Sequence, residues 1–392
     1  MNTSTAGLIA PGRHDRKNPF LACVRVRRSL TLPGSGKDTR HLELDIAGSG
    51  LEYTVGDSLG VFARNPARLV SELLALLQLD PAHPVTLAGG RQVAFQDALT
   101  RSYTLNRANR KILHGVLERL PAGEARNAFD AVVKSEELAA DYLFTRDYVD
   151  VLREFPSIRF ESPEAFIKLL SPLQPRLYSI ASSPARHPGS VHLCVAVVRY
   201  ETHGRRKTGL CSGFLADEVS LNLPDAPVFV QESAKFFLPS QPDRDVIMVG
   251  PGTGIAPFRA FLEQRQQDGA AGRNWLFFGE QRRATDFLYE DDIHRFQKEG
   301  VLTRLDLAFS RDQAEKVYVQ HRMLELAAEL WKWIQDGAYF YVCGDARRMA
   351  KDVHAALLRV AQEQGGLSSE GARAYVEEGM MRTERRYLRD VY

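Results

Sequence analysis

The rhythm that begins at Asp245 constrains the fold more than any other feature of the sequence. Val246-Ile247-Met248-Val249 reads as a buried strand, and Gly250-Pro251-Gly252-Thr253-Gly254-Ile255-Ala256-Pro257 follows it directly. Apolar spacing then predicts a helix over Pro257–Gln267, a strand over Trp275–Phe278 and a helix over Asp286–Glu299. A strand over Thr303–Ala308, a helix over Arg322–Asp336, a strand over Tyr339–Val342 and a helix over Arg347–Gln364 complete the series. Short apolar runs alternating with helical periods leave one economical solution. Parallel strands need long crossovers, and helices laid on both faces bury the sheet, so a doubly wound parallel sheet is expected.

The preceding half has a different period. Leu21–Arg27, Arg40–Ile46 and Leu59–Phe62 are short β-like runs, separated by Pro33-Gly34-Ser35-Gly36 and Gly48-Ser49-Gly50. Such spacing predicts antiparallel strands with tight turns. Leu69, Val70, Leu73, Leu74, Leu76 and Leu77 repeat at helical spacing, as do Ile112, Leu113, Val116, Leu117 and Leu120. A mostly helical insert is therefore expected over about 66–170. The β pattern resumes at Arg176–Ser179 and Val191–Arg199, with a short helix near Ser212. The expected organisation is a flexible lead-in at 1–17, a β-rich domain at 18–240 carrying the insert, and an α/β domain at 243–392.

Composition narrows the function. Lys plus Arg number 51 against 49 Asp plus Glu, a net charge of +2, which leaves no global footprint for nucleic acid or an anionic membrane. The four cysteines, Cys23, Cys194, Cys211 and Cys343, form no CxxC pair, so neither a metal nor a disulfide framework is expected. No apolar run approaches the ~20 residues of a membrane span. Met1 to Lys17 lacks the apolar core of a secretory signal. The expectation is a soluble, cytoplasmic protein with no nucleic-acid or membrane partner.

Five segments carry chemistry. The Gly250–Gly254 loop joins a buried strand to a helix, where free N–H groups can receive a pyrophosphate. Its plainer reading is a glycine-rich turn, and its spacing is not the usual dinucleotide fingerprint. In Arg176-Leu177-Tyr178-Ser179, alternation puts Arg176 and Tyr178 on one face, suited to a phosphate and a flat ring or simply to an exposed sheet. Lys207-Thr208-Gly209-Leu210-Cys211-Ser212-Gly213 is either a second phosphate cradle or a helix opened by a serine cap. Ser310-Arg311, with Lys316, Tyr318 and Gln320 close behind, suits a compact dianion or is a solvated basic loop. Cys343-Gly344-Asp345 ends a strand at the sheet edge that binds ligands, although a buried structural cysteine is the plainer reading.

Together, in this order, these segments resemble the ferredoxin–NADP reductase superfamily, and specifically the FAD/NADPH half of the diflavin reductases. The nearest branch is the flavoprotein subunit of the assimilatory NADPH–sulfite reductases. The resemblance is carried by Lys17-Asn18-Pro19-Phe20, Arg176 to Ser183, Val249 to Arg265, Asn274 to Gly279, Ser310 to Gln320, Tyr341 to Asp352 and Arg385 to Tyr392. It implies an antiparallel FAD-binding β-barrel with a helical insert, then a parallel NADP-binding domain. It also implies two cofactors, FAD and NADPH, and no metal.

The resemblance further implies site residues. Arg176, Leu177, Tyr178 and Ser179 would contact FAD, with Tyr178 stacked on its ring system and Ser179 near its reactive nitrogen. Cys194, Val195, Ala196 and Tyr200 match further flavin positions, and Gly209, Leu210, Cys211 and Ser212 the pyrophosphate cradle. Thr104 and Phe144 match contacts from the insert. Gly252 and Thr253 match the glycine loop of the nicotinamide nucleotide. Ser310, Arg311, Lys316, Val317, Tyr318, Val319 and Gln320 match the 2′-phosphate and adenosine site, and Asp352 a further NADPH contact. Ser179, Cys343 and Asp390 match the polar group along the hydride path, and Tyr392 the aromatic lid over the flavin.

Two departures stand out. Residues 1–16 carry no flavodoxin-like domain, the family's usual in-chain route for electrons, and Leu210 and Cys211 occupy positions where small residues are common. The resemblance therefore implies an NADPH-oxidising enzyme with a separate acceptor: a sirohaem sulfite reductase subunit, a flavodoxin or a ferredoxin. The competing expectations are a stand-alone NADPH–flavodoxin or ferredoxin reductase and a flavin-binding scaffold subunit.

Overall fold

The computed structural model describes residues 14–392. Residues 1–13 of the expected lead-in lie outside the described residues. The Asp15 carboxylate accepts hydrogen bonds from the backbone N–H of Lys17 at 2.7 Å and of Asn18 at 2.9 Å, which turns the chain into the first strand.

The chain forms two compact units: residues 14–60, 177–196 and 220–392, and residues 61–176 and 197–219. The first contains both large sheets. In the antiparallel sheet, Phe20–Ser29 pairs on one side with Pro224–Gln231 and on the other with Thr39–Asp45, which pairs in turn with Ser190–Ala196. Ser58–Val61 and Arg176–Ser179 extend the other end. Ile180, just beyond that last strand, bridges Leu193, so the sheet closes on itself as a barrel.

The parallel sheet has the order Arg304–Phe309, Asn274–Glu280, Val246–Val249, Tyr339–Gly344, Tyr387–Val391. The chain steps outward twice and then returns to the other side of Val246–Val249. That reversal creates a crevice at the carboxyl ends of Val246–Val249 and Tyr339–Gly344. Every residue of the Asn274–Glu280 strand is buried, as helices on both faces require.

Several boundaries differ from expectation. The helix expected over 286–299 is interrupted: Arg283–Asp286 stops, Tyr289 takes φ 56°, and Glu290–Lys298 restarts. The interruption leaves the Tyr289 ring buried, with its hydroxyl 3.0 Å from His41 Nδ1. The helix expected over 322–336 is two, Val319–Glu325 and Ala327–Gln335. The run expected over 191–199 divides into Ser190–Ala196 and a separate hairpin, Arg199–Thr202 with Arg205–Thr208. Pro224–Gln231 and Tyr387–Val391 are strands that periodicity did not predict.

The second unit is mostly helical, with its own core around Leu73, Phe95, Ile112, Tyr148 and Phe166. Its helices include Ala67–Leu77, Arg110–Arg119, Glu124–Lys134, Glu136–Phe144 and Tyr148–Glu154. Asn109, Ser135, Asp147 and Ser162 cap helix starts with side-chain acceptors. Asp147 and Asp150 form a reciprocal capping box.

Candidate functional site

Two glycines make the loop after Val246–Val249 possible. Gly252 has φ +60°, a conformation side chains rarely adopt. A Cβ on Gly254 would lie 2.1 Å from the Cys343 carbonyl oxygen, so only glycine lets the loop seat against the neighbouring strand. The helix Ile255–Gln267 starts at this turn, and its first N–H groups have no intrahelical partners.

A cavity of about 450 Å³ opens at the same sheet edge. Gly252, Ser310, Arg311, Lys316, Tyr318, Val319, Gln320 and Asp352 all line it. Six of the eight were singled out on residue chemistry, and Val319 and Asp352 come from the resemblance. Gln320 Nε2 donates to Asp352 at 3.4 Å. Arg311 and Lys316 are exposed, and among the described residues neither side chain has a carboxylate partner. Two unneutralised cations in one concavity fit a dianion. Val317 lies between the lining residues and is half-buried. Lys37 and Arg348 also line the cavity and were not anticipated. Lys37 reaches it from far away in sequence, bonding Glu280 at 2.5 Å, so only folding reveals it. Arg348 could have been noticed just after Cys343-Gly344-Asp345.

Ser179, Cys343, Asp390 and Tyr392 meet nearby contacts in the same unit. Cys343 and Asp390 are direct neighbours across the two parallel strands. Ser179 Oγ donates to Asp390 Oδ2 at 2.6 Å, and Cys343 Sγ stands 3.9 Å from the same oxygen. Cys343 is fully buried, and that burial, with the nearby Asp390 charge, pushes its thiol well above the usual range. It is a neutral group, not a thiolate. Tyr392 remains 60% exposed while its hydroxyl lies 2.8 Å from Thr253 Oγ1.

The remaining expected residues divide between the units. In the first, Leu177 is exposed, Tyr178 is half-buried, and Cys194 and Val195 are buried beside exposed Ala196. Burial raises the Cys194 thiol to about 12. In the second, Gly209 precedes the helix Leu210–Gly213, which continues through Phe214–Glu218. Val198 N–H donates to Ser212 Oγ at 3.2 Å, and Cys211 Sγ contacts the Val61 carbonyl at 3.7 Å. Arg176 and Tyr200 are exposed, Phe144 is 80% exposed, and Thr104 Oγ1 donates to the Pro172 carbonyl at 3.4 Å. Tyr200 and Leu210 line a cavity of about 240 Å³; Thr104, Phe144, Gly209, Cys211 and Ser212 do not.

Buried charges hold that segment in place. Arg205 Nη1 lies 2.7 Å from Asp147 and 2.8 Å from Asp150, and its Nη2 is 3.1 Å from Glu72. Lys207 pairs with Asp150 and donates to the Thr145 carbonyl at 3.1 Å. The hairpin is thereby fastened to a helix cap, and Gly209 follows it directly. Free backbone N–H groups at a helix start, with exposed arginine and tyrosine side chains, fit a dinucleotide with an aromatic ring system.

Comparison with known proteins agrees with this chemistry. Residues 12–214 match the model of the FAD binding domain, and residues 248–355 that of the oxidoreductase NAD-binding domain. The chain is 46% identical over all 392 residues to the sulfite reductase [NADPH] flavoprotein alpha-component of Escherichia coli O9:H4, covering 63% of that protein. It is 45% identical over 380 residues to its counterpart from Mannheimia succiniciproducens, covering 97% of this chain and 62% of that one. The chain thus spans somewhat less than two thirds of the relatives' length. Among the described residues, no helix is long and apolar enough to cross a membrane. The chain belongs to the FAD-binding-domain family of flavoproteins, with an oxidoreductase NAD-binding domain following the flavin domain.

Proposed function

We propose that this chain oxidises NADPH and passes the electrons through FAD to a separate protein acceptor, as the flavoprotein component of a sulfite reductase. The observation that carries the NADPH reading is the unneutralised pair Arg311 and Lys316 in the cavity beside the glycine loop. The names of the relatives support the sulfite reductase assignment. On this reading residues 18–240, with the insert at about 66–170, hold FAD, and residues 243–392 hold NADPH.

When bound, the two cofactors supply hydride transfer and its conversion to single-electron steps. The protein supplies position and charge. Ser310, Arg311 and Lys316 grip the 2′-phosphate, where a bidentate arginine distinguishes NADPH from NADH. Val317, Tyr318, Val319 and Gln320 shape the adenosine side, and Asp352 orients Gln320. Gly252 and Thr253 let the nucleotide backbone approach the sheet edge. Arg176, Leu177, Tyr178 and Ser179, then Cys194, Val195, Ala196 and Tyr200, hold the flavin ring. Gly209, Leu210, Cys211 and Ser212 receive its pyrophosphate, and Thr104 and Phe144 contribute from the insert. Asp390 fixes the Ser179 hydroxyl as a donor turned toward it, Cys343 remains a neutral neighbour, and Tyr392 would cover the face of a bound flavin.

The test is anaerobic addition of NADPH to the flavin-loaded protein, followed by purified acceptors. Rapid bleaching of the flavin and reoxidation by a sirohaem sulfite reductase subunit are the expected results. Absence of bleaching would reject the reductase reading in favour of a scaffold. Faster reoxidation by flavodoxin or ferredoxin would reassign the acceptor.

A further inference from the structure

We infer that His41, Glu43 and His192 form a binding site for one divalent transition-metal cation of the zinc class, separate from the residues assigned to FAD and NADPH. Strand geometry builds it. His41 and Glu43 are two apart on Thr39–Asp45 and share a face, and His192 lies directly opposite Glu43 on Ser190–Ala196. Among the described residues, this is the only group of three or more histidine, cysteine or acidic side chains spaced to hold a metal ion.

The distances are close to those a cation would impose. Tetrahedral zinc with bonds of about 2.0–2.2 Å holds neighbouring ligand atoms about 3.3–3.6 Å apart. Here His41 Nε2 is 3.2 Å from Glu43 Oε1, and His192 Nε2 is 3.8 Å from Glu43 Oε2. All three ligand atoms lie within 4.8 Å of one another. Both imidazoles are almost wholly buried, whereas the Glu43 side chain is 32% exposed and leaves a route from solvent.

A plain hydrogen-bond chain from Tyr289 through His41 to Glu43 accounts for only part of the cluster. It leaves His192 unexplained: Nδ1 is buried without a partner, and Nε2 is too far from Glu43 for a hydrogen bond. A cation held between His192 Nε2 and Glu43 would give that nitrogen a partner that no side chain supplies. Supporting contacts are also in place. The Tyr289 hydroxyl lies 3.0 Å from His41 Nδ1, which turns Nε2 toward Glu43 as an orienting partner should. The neighbouring Arg259 is committed to Asp292 at 2.8 Å and Glu263 at 3.0 Å. Two imidazoles and one carboxylate favour zinc-class cations over magnesium or calcium, which prefer oxygen ligands alone.

The flavin-loaded protein, stripped with chelator and dialysed, is titrated with zinc chloride against a chromophoric competitor. The expected result is one zinc per chain, not displaced by excess magnesium, with binding weakened at least about 10-fold in His192→Ala and in Glu43→Gln. Cobalt(II) added to the unaltered protein should give the visible bands of a tetrahedral nitrogen and oxygen site. Loss of flavin in His192→Ala would mark misfolding, and then Glu43→Gln and the cobalt spectrum decide. No stoichiometric zinc, unchanged affinity in a folded variant, or a cobalt–thiolate band would overturn the assignment.

Discussion

Ser179 Oγ donates a 2.6 Å hydrogen bond to Asp390 Oδ2, joining Arg176–Ser179 of the antiparallel sheet to the last strand of the parallel one. The acceptor is a carboxylate, so the contact fixes which way the serine hydroxyl points. Hydrogen bonds to charged groups contribute about 1.5–3 kcal/mol, or roughly one to two powers of ten in a rate that depends on them. Asp390→Asn should therefore slow flavin reduction at saturating NADPH by about 10-fold or more while leaving NADPH affinity within a few-fold. Stopped-flow reduction measures both. If affinity falls and the limiting rate does not, the contact serves binding alone.

On the proposed reading, Arg311 is the residue that distinguishes NADPH from NADH. Its guanidinium has no carboxylate partner among the described residues and lines the cavity. Arg311→Ala should weaken NADPH by about 10- to 100-fold and leave NADH nearly unchanged, because only NADPH carries the 2′-phosphate. Equal losses for both nucleotides would make the arginine a structural residue.

Lys207 and Asp150 give a pH-dependent stability. Burial pushes the Asp150 carboxyl up, but Lys207, the Asp147 N–H and Arg205 together hold it below its ordinary 3.8. The folded state therefore binds this proton less readily than the unfolded state does. The contribution is present above about pH 3.8 and is lost as pH falls through the lower folded value. Breaking a buried pair by removing one partner costs about 3–5 kcal/mol. Lys207→Met should lower the thermal midpoint at pH 7, and its difference from the parent should narrow below pH 4. A constant difference across that range would show that packing, not charge, is what the lysine supplies.

The sequence displayed what is local and hid what is not. The Gly250–Gly254 turn and the strands beside it were legible because each is a contiguous pattern. Tyr387–Val391 was not, since Arg389 and Asp390 interrupt its apolar run and one sheet neighbour suffices to hold it. Pro224 and Pro227 similarly disguise Pro224–Gln231. The break at Tyr289 follows from a partner, His41, that no window around residue 289 contains. Likewise, Lys37 meets Glu280 only in the folded chain, and His192 comes opposite Glu43 only when their strands pair.

Tyr392 sets the last expectation. Its hydroxyl is held 2.8 Å from Thr253 on the glycine loop, and more than half of the residue is exposed. On the proposed reading its ring covers the flavin, and nicotinamide must displace it. Displacement loses a hydrogen bond of about 0.5–1.5 kcal/mol and an aromatic stack of about 0.5–1.5 kcal/mol. NADPH offsets that cost through Arg311 and Lys316, whereas NADH lacks the group they bind. Tyr392→Ala should therefore raise NADH affinity by about 5- to 100-fold and narrow the preference for NADPH. Tyr392→Phe keeps the ring and loses only the bond to Thr253, so its effect should be intermediate. Binding titrations and single-turnover reduction are the proper measurements, because slower product release can mask the gain in steady-state turnover. A preference unchanged in Tyr392→Ala would exclude the ring as a cover over the flavin, and an unchanged value in Tyr392→Phe alone would exclude only the contribution of Thr253.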